Sequence, residues 1–194
     1  MTTEKANNII SEEKQLKFVF FGSDGCGKSN LINALVGSKY EENKPSQLID
    51  FKGLAVKKGS KVLKITFWDT PRQISFFGPT PYYRGADLIG LVIDSSIPFE
   101  PKKINEWLTF IERDNPSATI PIILILCKAD IEIPNIKKDL INFSTKEHYP
   151  YFITSAKLHT GIDELLSDMV ELALNRPIEL SIPIEQPKQK ERCQ

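Results

Sequence analysis

The 194-residue chain sets 25 basic against 25 acidic residues, so no net charge draws it toward nucleic acid or anionic lipid, and any specificity has to be local. Its length suits one domain with a single substantial core. Three cysteines, Cys26, Cys127 and Cys193, form no Cys-x-x-Cys pair, and no apolar stretch is long enough to span a bilayer, which argues against a disulfide framework and a membrane-spanning protein.

Met1 to Gln15 is polar and has no apolar core behind basic residues, so no secretory signal is expected and the chain reads as cytoplasmic. Lys17 to Phe21 is then a first apolar strand. After it come a glycine-rich loop, Gly22 to Ser29, and an apolar helical stretch, Asn30 to Val36. Ile49 to Val56 and Val62 to Trp68 are strand-like and joined by Lys57-Lys58-Gly59-Ser60, a turn-like tetrapeptide that makes them a hairpin. Lys57, Lys58, Lys61 and Lys64 give that hairpin a solvated edge that discourages further pairing.

Leu88 to Asp94, Ile122 to Cys127 and Tyr151 to Thr154 follow as strands, and Ile122-Ile123-Leu124-Ile125-Leu126 reads as one covered on both faces. Between and after them, Ile104, Trp107, Leu108 and Ile111 share one helical face. Ile162, Leu165, Leu166, Met169, Val170 and Ala173 share another, opened by Thr160 and Asp163 as a capping pair. The order predicts an α/β domain: a mostly parallel six-stranded sheet with one antiparallel edge hairpin and helices on both faces. It divides the chain into an N-terminal extension over 1–15, a domain over 16–176 and a Pro-, Gln- and Lys-containing tail over 177–194.

Gly22-Ser23-Asp24-Gly25-Cys26-Gly27-Lys28-Ser29 has the form G-x-x-x-x-G-K-S. Glycines let the backbone turn with positive φ and come close to phosphate oxygens. Successive N–H groups then form an anion nest at a helix N-terminus, whose dipole adds to the attraction. Lys28 supplies a cation for the terminal phosphates and Ser29 a hydroxyl for Mg²⁺. The expected contacts are Asp24, Gly25, Cys26, Gly27, Lys28, Ser29 and Asn30. A bare strand-to-helix turn with an exposed lysine is the alternative, and the apolar strand before and apolar helix after favour the cradle.

Trp68-Asp69-Thr70-Pro71-Arg72-Gln73, Cys127-Lys128-Ala129-Asp130 and Thr154-Ser155-Ala156-Lys157 each follow a later strand, where open α/β sheets place ligands. With this set the sequence resembles a small GTPase of the Ras superfamily over about Lys17 to Asn175. Ile49-Asp50-Phe51, Trp68-Asp69-Thr70 and Tyr82-Tyr83-Arg84-Gly85-Ala86-Asp87 give it a Rab flavour. The resemblance implies the P-loop small-GTPase fold, GTP and GDP as substrate and product, Mg²⁺ as cofactor, and a switch that recruits effectors in vesicle trafficking. It also implies exchange-factor and GTPase-activating partners at the switch regions, a monomer, and no nucleic-acid partner.

A carboxylate at Asp130 can accept from both the ring N–H and the exocyclic amine of guanine, a pair adenine does not offer. The Lys128 stem and Tyr40 would flank the purine, with Ser155, Ala156 and Lys157 near its carbonyl. Asp69 would hold Mg²⁺ through water beside Ser29, and Ser46 stands where the family has a threonine closing over the metal. Gln73, with Lys28, falls at the catalytic positions: Gln73 would orient the attacking water.

Three departures stand out. Cys127 replaces the family's asparagine, and a thiol ties the base loop to the phosphate loop less well, so weaker affinity is expected. Ser46 replaces threonine. Pro71-Arg72 replaces Ala-Gly, restricting approach to the γ-phosphate, so hydrolysis is expected to be slow. Arg72 itself reads as an internal arginine finger, part of an effector surface, or a solvated switch residue. Cys193 fits neither a C-a-a-X box nor paired cysteines, so prenylation is not expected, and peripheral membrane association would need a bound partner. Two rival readings stay open: a hydrolysis-deficient pseudo-GTPase binding module, and a scaffold domain that binds no nucleotide.

Overall fold

The computed structural model of the protein describes residues 13–41, 49–70, 81–114 and 120–175. The central strand β1 (Glu13–Gly22) sends Phe18 and Phe20 into one core cluster and Val19 and Phe21 into another, as alternation along a strand requires. Around it forms a six-stranded sheet in the order β2-β3-β1-β4-β5-β6, from β2 (Asp50–Lys58), β3 (Lys61–Asp69), β4 (Leu88–Asp94), β5 (Ile122–Cys127) and β6 (Tyr151–Ile153). Every neighbouring pair is parallel except β2 with β3.

Helix α1 (Lys28–Leu35) and helix α4 (Ile162–Leu174) cover one face through Leu31, Ile32, Leu165 and Met169. Helices α2 (Pro101–Asp114) and α3 (Ile136–Glu147) cover the other through Ile104, Trp107, Leu108 and Leu140. β4 is buried throughout, as a strand sandwiched between helix layers should be. The predicted architecture therefore stands: a mostly parallel six-stranded sheet, one antiparallel edge hairpin and helices on both faces.

Several local expectations change. β1 begins at Glu13 rather than Lys17, because its polar start pairs with β3 from Val62 onward and Lys64 bonds Glu13 at 2.7 Å. The hairpin turn narrows to Gly59-Ser60, with Lys58 opposite Lys61. Thr160 does not cap α4. Gly161, with φ of 68°, holds the cap position without a side-chain hydrogen bond, while Thr160 exchanges backbone bonds with Ser155. Helix α3 carries its apolar residues at Ile136, Leu140 and Phe143, a spacing the sequence reading passed over. Ser46, Arg72, Gln73 and Cys193 lie outside the described residues.

Because β1, β3, β4, β5 and β6 run parallel, the segments that leave their carboxyl ends gather along one edge of the sheet. That edge holds the expected site.

Candidate functional site

The loop after β1 is built around glycine. A Cβ on Gly22 would lie 2.5 Å from the Val92 carbonyl oxygen and 2.7 Å from Cys26 Sγ, so only glycine lets the loop leave the strand here. Gly27 has φ of 104° and is the N-cap of α1, with no side-chain cap bond. The first-turn N–H groups of α1 are thereby left to an anion rather than to a capping side chain.

Lys28 is buried, and its Nζ donates to the carbonyls of Gly22 and Ser23 at 3.0 Å each. The ammonium is thus held at the loop's rim by two backbone acceptors. Asn30 grips the backbone of Glu41 from both sides, Nδ2 donating to its carbonyl at 2.8 Å and Oδ1 accepting its N–H at 3.0 Å. That bracket fixes the segment carrying Tyr40, which stands exposed beside it.

Asp69 ends β3 opposite Phe20 of β1 and Asp50 of β2. The residue is 4 % exposed, and Oδ1 is buried with no hydrogen-bond partner among the described residues. Burial pushes its carboxyl up in pKa, against a hydrogen bond from Ser29 and the nearby charge of Lys28. A buried carboxylate oxygen without a donor, next to a hydroxyl, fits a hard divalent cation that takes oxygen ligands. Ser29 and Asp69 could hold one. Thr70 Oγ1 donates to the Phe20 carbonyl at 2.6 Å and so fixes where the chain leaves β3.

The third part follows β5. Cys127 is buried against Thr154, Sγ to Oγ1 3.5 Å, and burial pushes its thiol up to about 12. Lys128 has a positive φ of 60° and leads into a 3-10 turn, Ala129–Ile131, that carries Asp130. Asp130 Oδ1 accepts from Ser155 Oγ at 2.5 Å, and the same Ser155 oxygen accepts the N–H of Leu158 at 3.1 Å. Ser155 is 1 % exposed, so the carboxylate is oriented by a buried hydroxyl on the loop after β6. Ala156 is half-buried and Lys157 exposed.

These parts meet. A Cβ on Gly27 would lie 3.5 Å from Cys127 Cβ and 3.8 Å from Lys128 Cγ, which puts the base loop directly against the phosphate loop. Sequence reasoning missed one member of the contact. Asp94, the last residue of β4, accepts the Lys128 ammonium at 2.7 Å, and the Ser96 N–H and hydroxyl at 2.8 and 2.6 Å. Burial disfavours its charged form, but these hydrogen bonds outweigh it and hold the carboxyl below its usual range. An acid ending an otherwise apolar strand was the available signal.

Residues that the sequence named separately, Phe51, Trp68 and Tyr82, form an aromatic cluster near the hairpin's open end. Phe51 stacks edge-on against Trp68 at 4.6 Å, Tyr82 lies 6.4 Å from Trp68, and Lys17 Nζ sits 3.8 Å from the Trp68 ring centre. Phe51 remains 50 % exposed.

The Cys127 environment yields a prediction. An asparagine there would offer an amide donor and an acceptor where the thiol offers neither strongly, with Thr154 as a ready partner. On the guanine-nucleotide reading that the resemblance implies, Cys127→Asn is expected to slow GDP release about tenfold, one neutral hydrogen bond's worth, as read by displacement of a fluorescent GDP analogue. Faster release would show that the thiol's packing matters more than its missing hydrogen bonds.

Comparison with known proteins agrees with the geometry. A Ras family model matches residues 17–175. The chain is 28 % identical over 165 residues to Ras-related protein Rab-18 of Lymnaea stagnalis, covering 84 % of this chain and 82 % of that one. It is 30 % identical over 168 residues to the Ypt/Rab-type GTPase ypt7 of Schizosaccharomyces pombe, covering 82 % of each chain. It is 30 % identical over 175 residues to Ras-related protein Rab7 of Cenchrus ciliaris, covering 84 % and 85 %. With the fold, the loop after β1 and these matches in agreement, the chain belongs to the Ras family as a Rab-like small GTPase.

Proposed function

We propose that the protein is a guanine-nucleotide switch that binds GTP and GDP with Mg²⁺, hydrolyses GTP slowly, and recruits effectors in vesicle trafficking. The observation that carries this reading is convergence. Gly27 of the phosphate loop packs on Cys127 and Lys128, while Asp130, one residue past Ala129, is oriented by Ser155. A loop shaped for phosphates and an acid suited to guanine then address one ligand.

In this reading Asp24 to Asn30 wrap the phosphates, Lys28 neutralises them, and Asp130 accepts the two N–H groups of the base. Lys128 and Tyr40 flank the purine, and Ser155, Ala156 and Lys157 border it. Ser29 and Asp69, joined by Ser46, hold Mg²⁺, which neutralises charge on the β- and γ-phosphates when bound. Gln73 orients the water, while Arg72 acts as an internal arginine finger, an effector contact or a solvated switch residue. The exposed Phe51, beside Trp68 and Tyr82, supports a protein contact surface next to the nucleotide loops. Exchange and activating factors would engage the same region. Among the described residues no helix is long and apolar enough to cross a membrane, and any membrane association is assigned to a bound partner.

Pro71-Arg72 in place of Ala-Gly favours a second reading, a nucleotide-holding module that does not hydrolyse. Single-turnover release of phosphate from preloaded GTP separates the two. The switch reading expects slow release that Gln73→Leu reduces about tenfold or more, since positioning a water depends on placement. Equal rates for the two proteins would favour the module.

A further inference from the structure

We infer that Asp94 is a positioning residue for nucleotide retention: it holds the Lys128 ammonium so that the Lys128 stem lies across Gly27, coupling the base loop to the phosphate loop where Cys127 does so poorly. The inference rests on the nucleotide-site reading above and adds to it a residue on a strand that neither loop contains.

Both oxygens of Asp94 are engaged. Oδ2 takes the Lys128 ammonium at 2.7 Å, and Oδ1 takes the N–H and hydroxyl of Ser96 at 2.8 and 2.6 Å. The carboxylate is therefore aimed before any ligand arrives. It is also sheltered: the side chains of Asp94 and Lys128 are 8 % and 33 % exposed, against 59 % and 47 % for the surface pair Glu171 and Lys58. A charge-assisted bond in that half-buried setting is worth more than an exposed ion pair.

The backbone delivers Lys128 to this partner. Its φ of 60° is left-handed, a conformation that costs a residue with a Cβ and needs support. The support is explicit. Ser95 Oγ donates to the Lys128 carbonyl at 2.6 Å, Ser95 N donates to the Cys127 carbonyl at 3.0 Å, and Ala129 N donates to the Thr154 carbonyl at 3.1 Å. Since Asp94 and Cys127 are register partners on β4 and β5, the acid stands beside the start of the base loop. From there the stem of Lys128 returns over the phosphate loop, with Cγ and Cε at 3.8 and 3.9 Å from where a Gly27 Cβ would be. Among the described residues the Cys127 thiol makes one weak polar contact, 3.5 Å to Thr154 after β6, so the base loop meets the phosphate loop through the Lys128 stem, which the Asp94 bond holds in place.

The test uses the full chain loaded with a fluorescent GDP analogue and chased with excess GDP in Mg²⁺. Asp94→Asn, nearly isosteric, is expected to release the analogue about tenfold faster or more. If Asp94 acts through Lys128, the double variant Asp94→Asn/Lys128→Met releases no more than about twofold faster than Lys128→Met alone. Asp94→Glu recovers part of the loss. The preference for guanosine over inosine diphosphate stays at the wild-type value throughout, because Asp130 is untouched. Glu171→Gln, which removes a distant surface pair, leaves release unchanged.

Release from Asp94→Asn within about twofold of wild type overturns the inference, as do effects of the two single changes that multiply in the double variant. Lys128→Met reads the same tie from its other end, so unchanged release in that variant overturns it even where Asp94→Asn does not fold. A wild-type protein that retains no GDP removes the nucleotide-site reading itself. A wild type that retains GDP beside a silent Asp94→Asn removes the Asp94 inference alone.

Discussion

Asp130→Asn is expected to weaken GDP binding about a thousandfold and to turn the preference toward xanthosine diphosphate, measured by competition against a fluorescent guanine nucleotide. The carboxylate offers two acceptors to guanine's ring N–H and amine, each a charge-assisted bond worth about 1.5–3 kcal/mol. An asparagine side chain offers one acceptor and one donor, so the guanine amine meets an N–H instead of an oxygen. Xanthine carries a carbonyl there and accepts it. The change is local because Ser155 Oγ, 2.5 Å from Asp130 Oδ1, can still donate to an amide oxygen at the same position. Asp130→Ala should lose GDP without gaining xanthosine diphosphate. Unaltered base preference in both variants contradicts the assignment.

Lys28→Ala is expected to weaken GTP and GDP by at least about a hundredfold, read by the same competition. Its Nζ sits 3.0 Å from two loop carbonyls, so the charge is already aimed at the loop mouth and little ordering is needed when phosphate arrives. Losing it removes a charged contact that is half enclosed by protein, worth about 3 kcal/mol or more. Stability should change far less than affinity, since the ammonium bonds neutral loop groups, the Gly22 and Ser23 carbonyls and Cys26 Sγ at 3.7 Å. A thermal melt of the nucleotide-free protein checks that separation. Near wild-type affinity would mean that the buried Lys28 only pins the glycine turn through the Gly22 and Ser23 carbonyls.

Much of this architecture was legible because strand and helix periods are local. Ile122 to Leu126 reads as a buried strand, and β5 is that strand; Ile162 to Ala173 reads as one apolar face, and α4 buries it. The phosphate loop was legible for the same reason, since its glycines, Lys28 and Ser29 are contiguous. What sequence could not supply was pairing across the sheet. That Asp94 faces Cys127 follows only from the β4–β5 register, and that Lys128 turns back over Gly27 follows from a left-handed φ that no propensity assigns to lysine. Thr160 illustrates the opposite failure: as a threonine three residues before an acid it has the form of a cap, yet its backbone is committed to Ser155, and Gly161 takes the cap position. The polar start of β1 was missed because Glu13 to Gln15 show no apolar alternation, and their strand character comes from pairing with β3.

The central claim is that the loop ending in Lys28-Ser29 and the acid at Asp130 bind one guanine nucleotide. Purifying the protein in Mg²⁺, denaturing it and identifying the released nucleotide by chromatography tests this most directly. About one GDP or GTP per chain is the predicted result, and an adenine nucleotide, or none after incubation with GDP, would contradict it.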